Sequence, residues 1–182
     1  MAAYPEPLLM TVEEYYNLPE RDDVILELHW GRLVELSRPK PWHITLQRRI
    51  SDLLRDRCGP EWEVFVELPF RAVPQYDLRA ADVGVIAKRR WDAVGRGDLQ
   101  GSPEIVIEVL SPSNSRGETT ERASLFLVTG TQQFCEVDEA RRIVRVTFAD
   151  GTTMVYGCGE RVPFPLLDVS LGIDEIFASG SE

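Results

Sequence analysis

The 182-residue sequence predicts an α/β or α+β fold, in which helices flank a central mixed β-sheet. Two runs rich in Val and Ile, at residues 80–86 and 103–111, are typical of nearly fully buried strands. Apolar residues recur at helical spacing over residues 42–57, and three strand patterns follow one another within residues 132–156. With 43% hydrophobic residues, the chain can bury the core of one domain, which we assign to residues 1–182.

The N-terminal part is predicted to hold a short helix and a hairpin. Thr11 and Glu14 form a capping-box pattern, in which each side chain caps the backbone of the other. A helix is therefore expected to follow the extended arm of residues 1–10. Two strand patterns, at residues 24–28 and 33–36, are separated by a turn that contains glycine, which predicts a β-hairpin.

The middle of the chain alternates helix and strand signals. The helix at residues 42–57 is expected to end at the Gly-Pro pair that follows it. Strands are predicted at residues 62–68 and 70–73, interrupted by Pro69, because proline has no backbone N–H to donate to a sheet. The polar, glycine-containing stretch at residues 88–102 is expected to be a mobile or partner-facing loop.

The C-terminal half is predicted to hold one more helix and a meander. Ser115 and Glu118 form a second capping-box pattern, so a helix is expected from there to about Val128. A C-terminal appendage, residues 160–182, is expected to dock on the core. The meander strands are expected at three segments, residues 132–137, 143–148 and 153–156.

Composition excludes several functional classes. The net charge of −10 argues against a broad, non-specific nucleic-acid surface, although it allows a local basic cleft. Lys40 and Lys88 are the only lysines, and the other basic residues are arginines. No segment of the sequence is apolar enough to span a bilayer, no signal-peptide pattern is present, and the three cysteines lack disulfide or zinc spacing. We therefore expect a cytoplasmic protein with no membrane contact.

Two acidic residues stand out because they lie within the apolar strand patterns. Asp82 precedes Val83 and Val85, and Glu108 lies between Ile107 and Val109. A carboxylate buried there would destabilise the fold by several kcal/mol, roughly, unless something pairs with it. A divalent cation shared by the two strands would remove that cost. Pairing with arginines, or solvation at strand ends, is the alternative.

Three further residues are candidates for chemistry. Glu27 lies between two leucines of the first hairpin, where the alternative is a strand residue that faces solvent. His43 lies on the same helical side as Leu46, so it is either a cleft residue or a hydrogen-bonded structural histidine. Arg122 lies one helical turn after Glu118, and the two would pair on an exposed helix surface if Arg122 had no other role.

Together these segments resemble the Uma-two family of putative restriction endonucleases, in the PD-(D/E)xK nuclease superfamily. The resemblance extends over roughly residues 9–150, and the run from Ile107 to Ser113, IEVLSPS, is its most specific part. Other matching segments are Leu26-Glu27-Leu28 with the run from Gly31 to Ser37, His43-Ile44, Ala81-Asp82-Val83, and Gly130 with Phe134 and Val137-Asp138.

The resemblance implies a restriction-endonuclease-like core and a metal-dependent hydrolase of nucleic-acid phosphodiester bonds, with DNA as the expected partner. Asp82 and Glu108 would bind Mg²⁺ or Mn²⁺, and the carbonyl of Val109 would be a further ligand. Glu27 would be an additional acidic residue of the catalytic site. Members of the family are also expected to form homodimers.

The sequence departs from the family at one position. The family carries a lysine on the helix after the EVLS segment, and the register from Gly130 places Arg122 there. An arginine can bind phosphate but is effectively never deprotonated. Transfer of the lysine role to Lys40 is one alternative, and a degenerate nuclease-fold protein that binds without turnover is another. A third interpretation is an interaction scaffold that uses residues 91–102 and the N-terminal arm.

Overall fold

A computed structural model describes residues 9–19, 21, 23–111 and 116–178, with the exception of the Arg116 side chain. The helices of this part are α1 (Val12–Tyr16), α2 (Pro41–Arg55), α3 (Lys88–Val94), α4 (Arg116–Val128) and α5 (Ile173–Ile176). Its strands are β1 (Ile25–His29), β2 (Arg32–Leu36), β3 (Trp62–Arg71), β4 (Arg79–Ala87), β5 (Leu99–Gln100), β6 (Ile105–Val109), β7 (Gln133–Asp138), β8 (Ile143–Phe148), β9 (Thr153–Tyr156), β10 (Arg161–Phe164) and β11 (Val169–Gly172).

The central element is a seven-stranded mixed sheet with the strand order β5-β3-β4-β6-β7-β8-β9. Strands β3 and β5 and strands β6 and β7 are parallel, and the other neighbours are antiparallel. The crossover from β6 to β7 is made by α4, as parallel neighbours require. Two hairpins, β1-β2 and β10-β11, lie outside this sheet. The prediction of a mixed sheet flanked by helices is confirmed.

Apolar residues cover both faces of the sheet. On one face, the α2 stripe packs with the strands and with the C-terminal segment, including Ile173, Ile176 and Phe177. On the other face, α3 and α4 pack against the sheet, with Phe126 of α4 fully buried. The central strands β4 and β6 are therefore buried on both faces, which explains their nearly continuous apolar sequence. The assignment of all 182 residues to one domain stays a prediction.

Several predicted elements are confirmed with small shifts in their ends. Thr11 and Glu14 form the expected capping box at the start of α1. The first hairpin turns through Trp30 and Gly31, both at positive φ, as a two-residue turn favours. The three meander strands are found as β7, β8 and β9. The predicted arm at residues 1–8 and the cap at Ser115 lie outside the described residues.

Two predictions about local structure were wrong. Strand β3 continues through Pro69, which pairs with Ala80. The amide of Ala80 donates to the Glu27 carboxylate rather than to β3, so the missing N–H of Pro69 interrupts no ladder bond there. Residues 88–102 are not a simple loop, because they form α3 and β5, and Trp91 packs on Phe65. No helix in the described part of the chain is long and apolar enough to cross a bilayer.

Candidate active site

The site begins where the pairing of β3 with β4 is interrupted. Val66 pairs with Val83 and Leu68 with Ala81, but Glu67 and Asp82 between them form no ladder pair. Glu67 has a φ of 53°, in the left-handed region that non-glycine residues rarely adopt. The usual alternation of sides also breaks here, since Ala81 packs on the α4 side of the sheet and Val83 on the α2 side. Asp82 lies at this break, with its side chain directed towards α2.

Three donors hold the Asp82 carboxylate. The Gln47 side-chain amide donates to Oδ1 at 2.9 Å, and His43 Nε2 lies 3.2 Å from Oδ2. The backbone amide of Val109 donates to Oδ2 at 2.6 Å. The β4-β6 ladder ends at Val83 and Ile107, so this side-chain bond replaces the next backbone contact between the strands. The carboxylate therefore sits between two diverging strands.

Glu108 follows Ile107, the last residue of β6 that pairs with β4, and it is 7% exposed. Its Oε2 accepts from Arg122 at 2.5 Å, but Oε1 has no hydrogen-bond partner within the described ranges. Burial, opposed by the Arg122 charge and aided by the charges of Asp82 and Glu27, raises the pKa of Glu108 to about 8. A buried carboxylate oxygen without a partner is rare in folded proteins and indicates strain, a catalytic role, or a site for an ion or water.

Arg122 joins Glu108 to the first hairpin. Its guanidinium donates to Glu108 and, at 3.1 Å, to Oε2 of Glu27. Glu27 is only 5% exposed, and it also accepts from His29 at 2.6 Å and from the Ala80 amide at 2.8 Å. Burial alone would raise the pKa of Glu27, but the His29 hydrogen bond and the Arg122 charge hold it below its usual value. Arg122 is therefore a partly buried site residue and not an exposed helix residue.

The helix α2 contributes side chains from its first two turns. His43 and Gln47 are four residues apart, so both point to Asp82 from one side of the helix. Burial would lower the pKa of His43, but the hydrogen bond and charge of Asp82 outweigh it and raise that pKa. Gln47 also donates to Oε1 of Glu67 at 2.5 Å. Lys40, by contrast, is the exposed N-cap residue of α2.

The residues singled out from sequence thus fall into two connected groups. Glu27, Glu108 and Arg122 are in direct contact, whereas Asp82 contacts α2 and the Val109 amide. Sequence reasoning missed Gln47, Glu67 and His29. Gln47 could have been found from its place on the apolar side of α2, one turn after His43. No sequence signal distinguishes Glu67.

A divalent cation is the group that the resemblance implies, and the donor set fits one in part. Carboxylate oxygens are the ligands that Mg²⁺ and Mn²⁺ prefer, and Oε1 of Glu108, to which no described residue donates, is one of them. Yet no three His, Cys, Asp or Glu side chains in the described segments are arranged as a ready-made metal site. Arg122 supplies the positive charge beside Glu108 instead.

A second buried arginine cluster lies beside the first. Arg79 is fully buried, and its Nε donates to both carboxylate oxygens of Asp77. Its two terminal nitrogens donate to the two oxygens of Glu121, which also accepts from the Trp30 indole. Glu121 and Arg122 are consecutive residues of α4, so one helix serves both clusters.

Comparisons with known proteins place this geometry in a wider group. A family model described as Uma2, putative restriction endonuclease, matches residues 12–162. The crystal structure of a putative nuclease belonging to DUF820 from Anabaena variabilis ATCC 29413 has a TM-score of 0.78, covering 93% of this chain and 98% of that chain. The two sequences are 23% identical, so this likeness concerns the fold alone, and it confirms the predicted fold class. Among curated proteins, no match is found.

Proposed function

Because the chain belongs to the Uma2 family of putative restriction endonucleases, we propose that this protein is a metal-dependent endonuclease that hydrolyses phosphodiester bonds in DNA. The observation that carries the proposal is the buried Glu108 oxygen that has no partner among the described residues, on the strand next to that of Asp82. A structural ion pair would satisfy both oxygens of such a carboxylate.

In this proposal, Asp82 and Glu108 hold Mg²⁺ or Mn²⁺, and the carbonyl of Val109 is a further ligand. The cation would activate water for attack on the phosphodiester and neutralise the charge that develops. The chain's own contribution is to fix the ligands. The contacts of Asp82 with Gln47, His43 and the Val109 amide leave its carboxylate little freedom to rotate.

Arg122 is proposed to stabilise charge and not to move a proton. The carboxylates of Glu108 and Glu27 keep its pKa above the ordinary value, so the guanidinium stays charged. Its planar set of donors suits the oxygens of a phosphate. Glu27, fixed by His29 and the Ala80 amide, would hold Arg122 in place while Glu108 serves the cation. Action as a homodimer in the cytoplasm also belongs to this proposal.

The direct test is cleavage of supercoiled and single-stranded DNA with Mg²⁺ or Mn²⁺. Asp82→Asn and Glu108→Gln are each expected to reduce cleavage by about 100-fold or more, since each removes a ligand charge. Asp168→Asn is the matched control, because Asp168 is exposed and its left-handed backbone suits asparagine. Cleavage by the wild type that is no faster than that by Asp82→Asn would refute the enzymatic proposal.

A second candidate function is a nuclease-fold protein that binds nucleic acid without turnover. The observation that favours it is the double pairing of Arg122 with Glu27 and Glu108, which occupies the position of the family's lysine. Arg122→Lys distinguishes the two functions. If the substitution creates cleavage where the wild type has none, the natural protein has lost turnover but kept the rest of the site. If the wild type cleaves and the substitution changes the rate little, the first proposal stands.

A further inference from the structure

Glu67 is unusual for its backbone, its position and its hydrogen bond. It is a non-glycine residue at φ 53° in the middle of β3, where no turn requires that conformation. A position that needs left-handed backbone favours glycine, because a side chain adds steric cost. Glu67 also lies opposite Asp82, at the interruption of the β3-β4 ladder. A strained residue beside a site is a reason to look for a role in that site.

The side chain of Glu67 reaches the site through Gln47. Gln47 is 1% exposed, and its amide nitrogen donates to Glu67 and to Asp82. A side-chain amide has two N–H bonds, so one hydrogen serves each carboxylate. The orientation of the amide is fixed by this pair, because reversing it would turn its carbonyl oxygen towards two carboxylates. Glu67 therefore sets the orientation of the group that holds Asp82.

We propose that Glu67 is a positioning residue of this site, and that it fixes the Asp82 carboxylate through the side-chain amide of Gln47. The effect of Glu67 on cation binding rests on the proposed function. Its effect on the position of the Asp82 carboxylate does not. The carboxylate of Asp82 in turn accepts a hydrogen bond from the backbone amide of Val109, just beyond the end of the β4-β6 ladder. A loosened Asp82 should therefore be detectable at that amide without any metal.

Glu67→Gly is the decisive variant, because glycine allows the left-handed backbone and removes the side chain that accepts from Gln47. Asp168→Gly is its matched control. Asp168 is also a non-glycine residue, at φ 54°, and it lies in the connection before β11, away from the site. Asp168→Gly should raise the melting temperature by about 2 °C through relief of backbone strain. Glu67→Gly gains the same relief but leaves one N–H of the buried Gln47 amide without its acceptor, so its melting temperature should lie below that of Asp168→Gly. Gln47→Leu removes the proposed relay itself with a side chain of similar size.

The first measurement is hydrogen exchange of the Val109 amide by NMR in metal-free protein. Glu67→Gly and Gln47→Leu should each speed this exchange about tenfold relative to the Ile107 amide, which lies within the β6 ladder. Asp168→Gly should leave the ratio unchanged. An unchanged ratio in Glu67→Gly would overturn the proposal, whether or not Gln47→Leu folds.

The second measurement is Mn²⁺ affinity by calorimetry. Glu67→Gly should weaken binding about tenfold, as the loss of a residue that orients a ligand typically does. The double variant with Gln47→Leu should bind no more weakly than Gln47→Leu alone, because both changes break one relay. If the double variant instead bound Mn²⁺ about 100-fold more weakly than the wild type, as two independent tenfold losses would give, the relay through Gln47 would be overturned. A wild type that binds no Mn²⁺ would refute the proposed function, and Val109 exchange would still decide the role of Glu67.

Discussion

The two arginine clusters along α4 use the same chemical groups but differ in how completely they are satisfied. Around Arg79, both oxygens of Asp77 and both oxygens of Glu121 accept hydrogen bonds. Around Arg122, one oxygen of Glu108 has no partner in the described part of the chain. Arg79 is fully buried and Arg122 is partly buried, and each bridges two carboxylates from different elements.

In the proposed function, the Arg122 cluster receives a cation, whereas the Arg79 cluster is complete without one. Burial would raise the pKa of Glu121, but hydrogen bonds from Arg79 and Trp30 lower it. At Glu108, burial prevails over the Arg122 charge, and the pKa is raised to about 8. The Arg79 cluster also contains a raised pKa, that of buried Asp77, and the Arg122 cluster contains a lowered one, that of Glu27. The clusters therefore differ in hydrogen bonding and not in the direction of these pKa shifts.

The largest expected effect is on the Arg79 cluster, in which all four carboxylate oxygens of Asp77 and Glu121 accept hydrogen bonds. Arg79→Met leaves Asp77, which is fully buried, without its charge partner, so the free energy of unfolding should fall by about 3–5 kcal/mol. Arg122→Met should reduce it less, because Glu108 already favours its neutral form. Urea denaturation of both variants measures the difference. Equal losses would show that the two clusters are equivalent.

The next effect tests the Arg122 cluster by adding a divalent cation. Mn²⁺ at about 100 times its dissociation constant should stabilise the wild type by about 2.7 kcal/mol, or about 5–10 °C in melting temperature. Glu108→Gln should lose this shift. Glu121→Gln, one residue before Arg122 and in the other cluster, should keep it. A shift that survives in Glu108→Gln would place the cation elsewhere.

A smaller effect concerns the pH dependence of the metal-free protein. The folded-state pKa of Glu108 lies near 8, above the ordinary value of 4.5, so the folded state binds the proton more tightly than the unfolded state. Stability should therefore fall as the pH rises from about 4.5 to about 8. Glu108→Gln removes this loss, so its stability relative to the wild type should increase steadily as the pH rises from about 5 to about 8. A difference that does not grow between pH 5 and 8 would contradict the assignment.

The smallest effect comes from the exposed ion pair of Arg57 and Glu175. The stability change measured there is a reference for the changes at the two arginine clusters. Hydrogen bonds from Arg57 and the Gly172 amide lower the pKa of Glu175 to about 2. Its stabilising contribution is present above pH 4.5 and is lost as the pH falls towards 2. Because the side chain is 39% exposed, Glu175→Gln should cost less than about 1 kcal/mol, and less still at high salt. Melting curves at low and high ionic strength measure it.

Much of the fold could be predicted because its signals are local. The α2 stripe and the apolar runs of β4 and β6 are repeats within single elements, and they were recognised. Pro69 was misjudged because its place in the ladder depends on where the Ala80 amide donates. The amide donates to Glu27, about fifty residues earlier in the chain, and no local pattern contains that contact.

The candidate site was predictable where a residue type conflicts with its surroundings. Asp82 and Glu108 were noticeable as acids in apolar strands, and Arg122 through a family resemblance. Gln47 and Glu67 have ordinary sequence surroundings, and they become important only when α2 packs across the β3-β4 break. A left-handed glutamate leaves no trace in the sequence, since glutamate carries no preference for that conformation.

The placement of Glu121 and Arg122 on consecutive positions of α4 has an evolutionary consequence. Neighbouring helix residues point about 100° apart, so Glu121 can remain bound to Arg79 whatever residue occupies position 122. The residue at position 122 can therefore change while the ion pair between Arg79 and Glu121 continues to join β4 to α4.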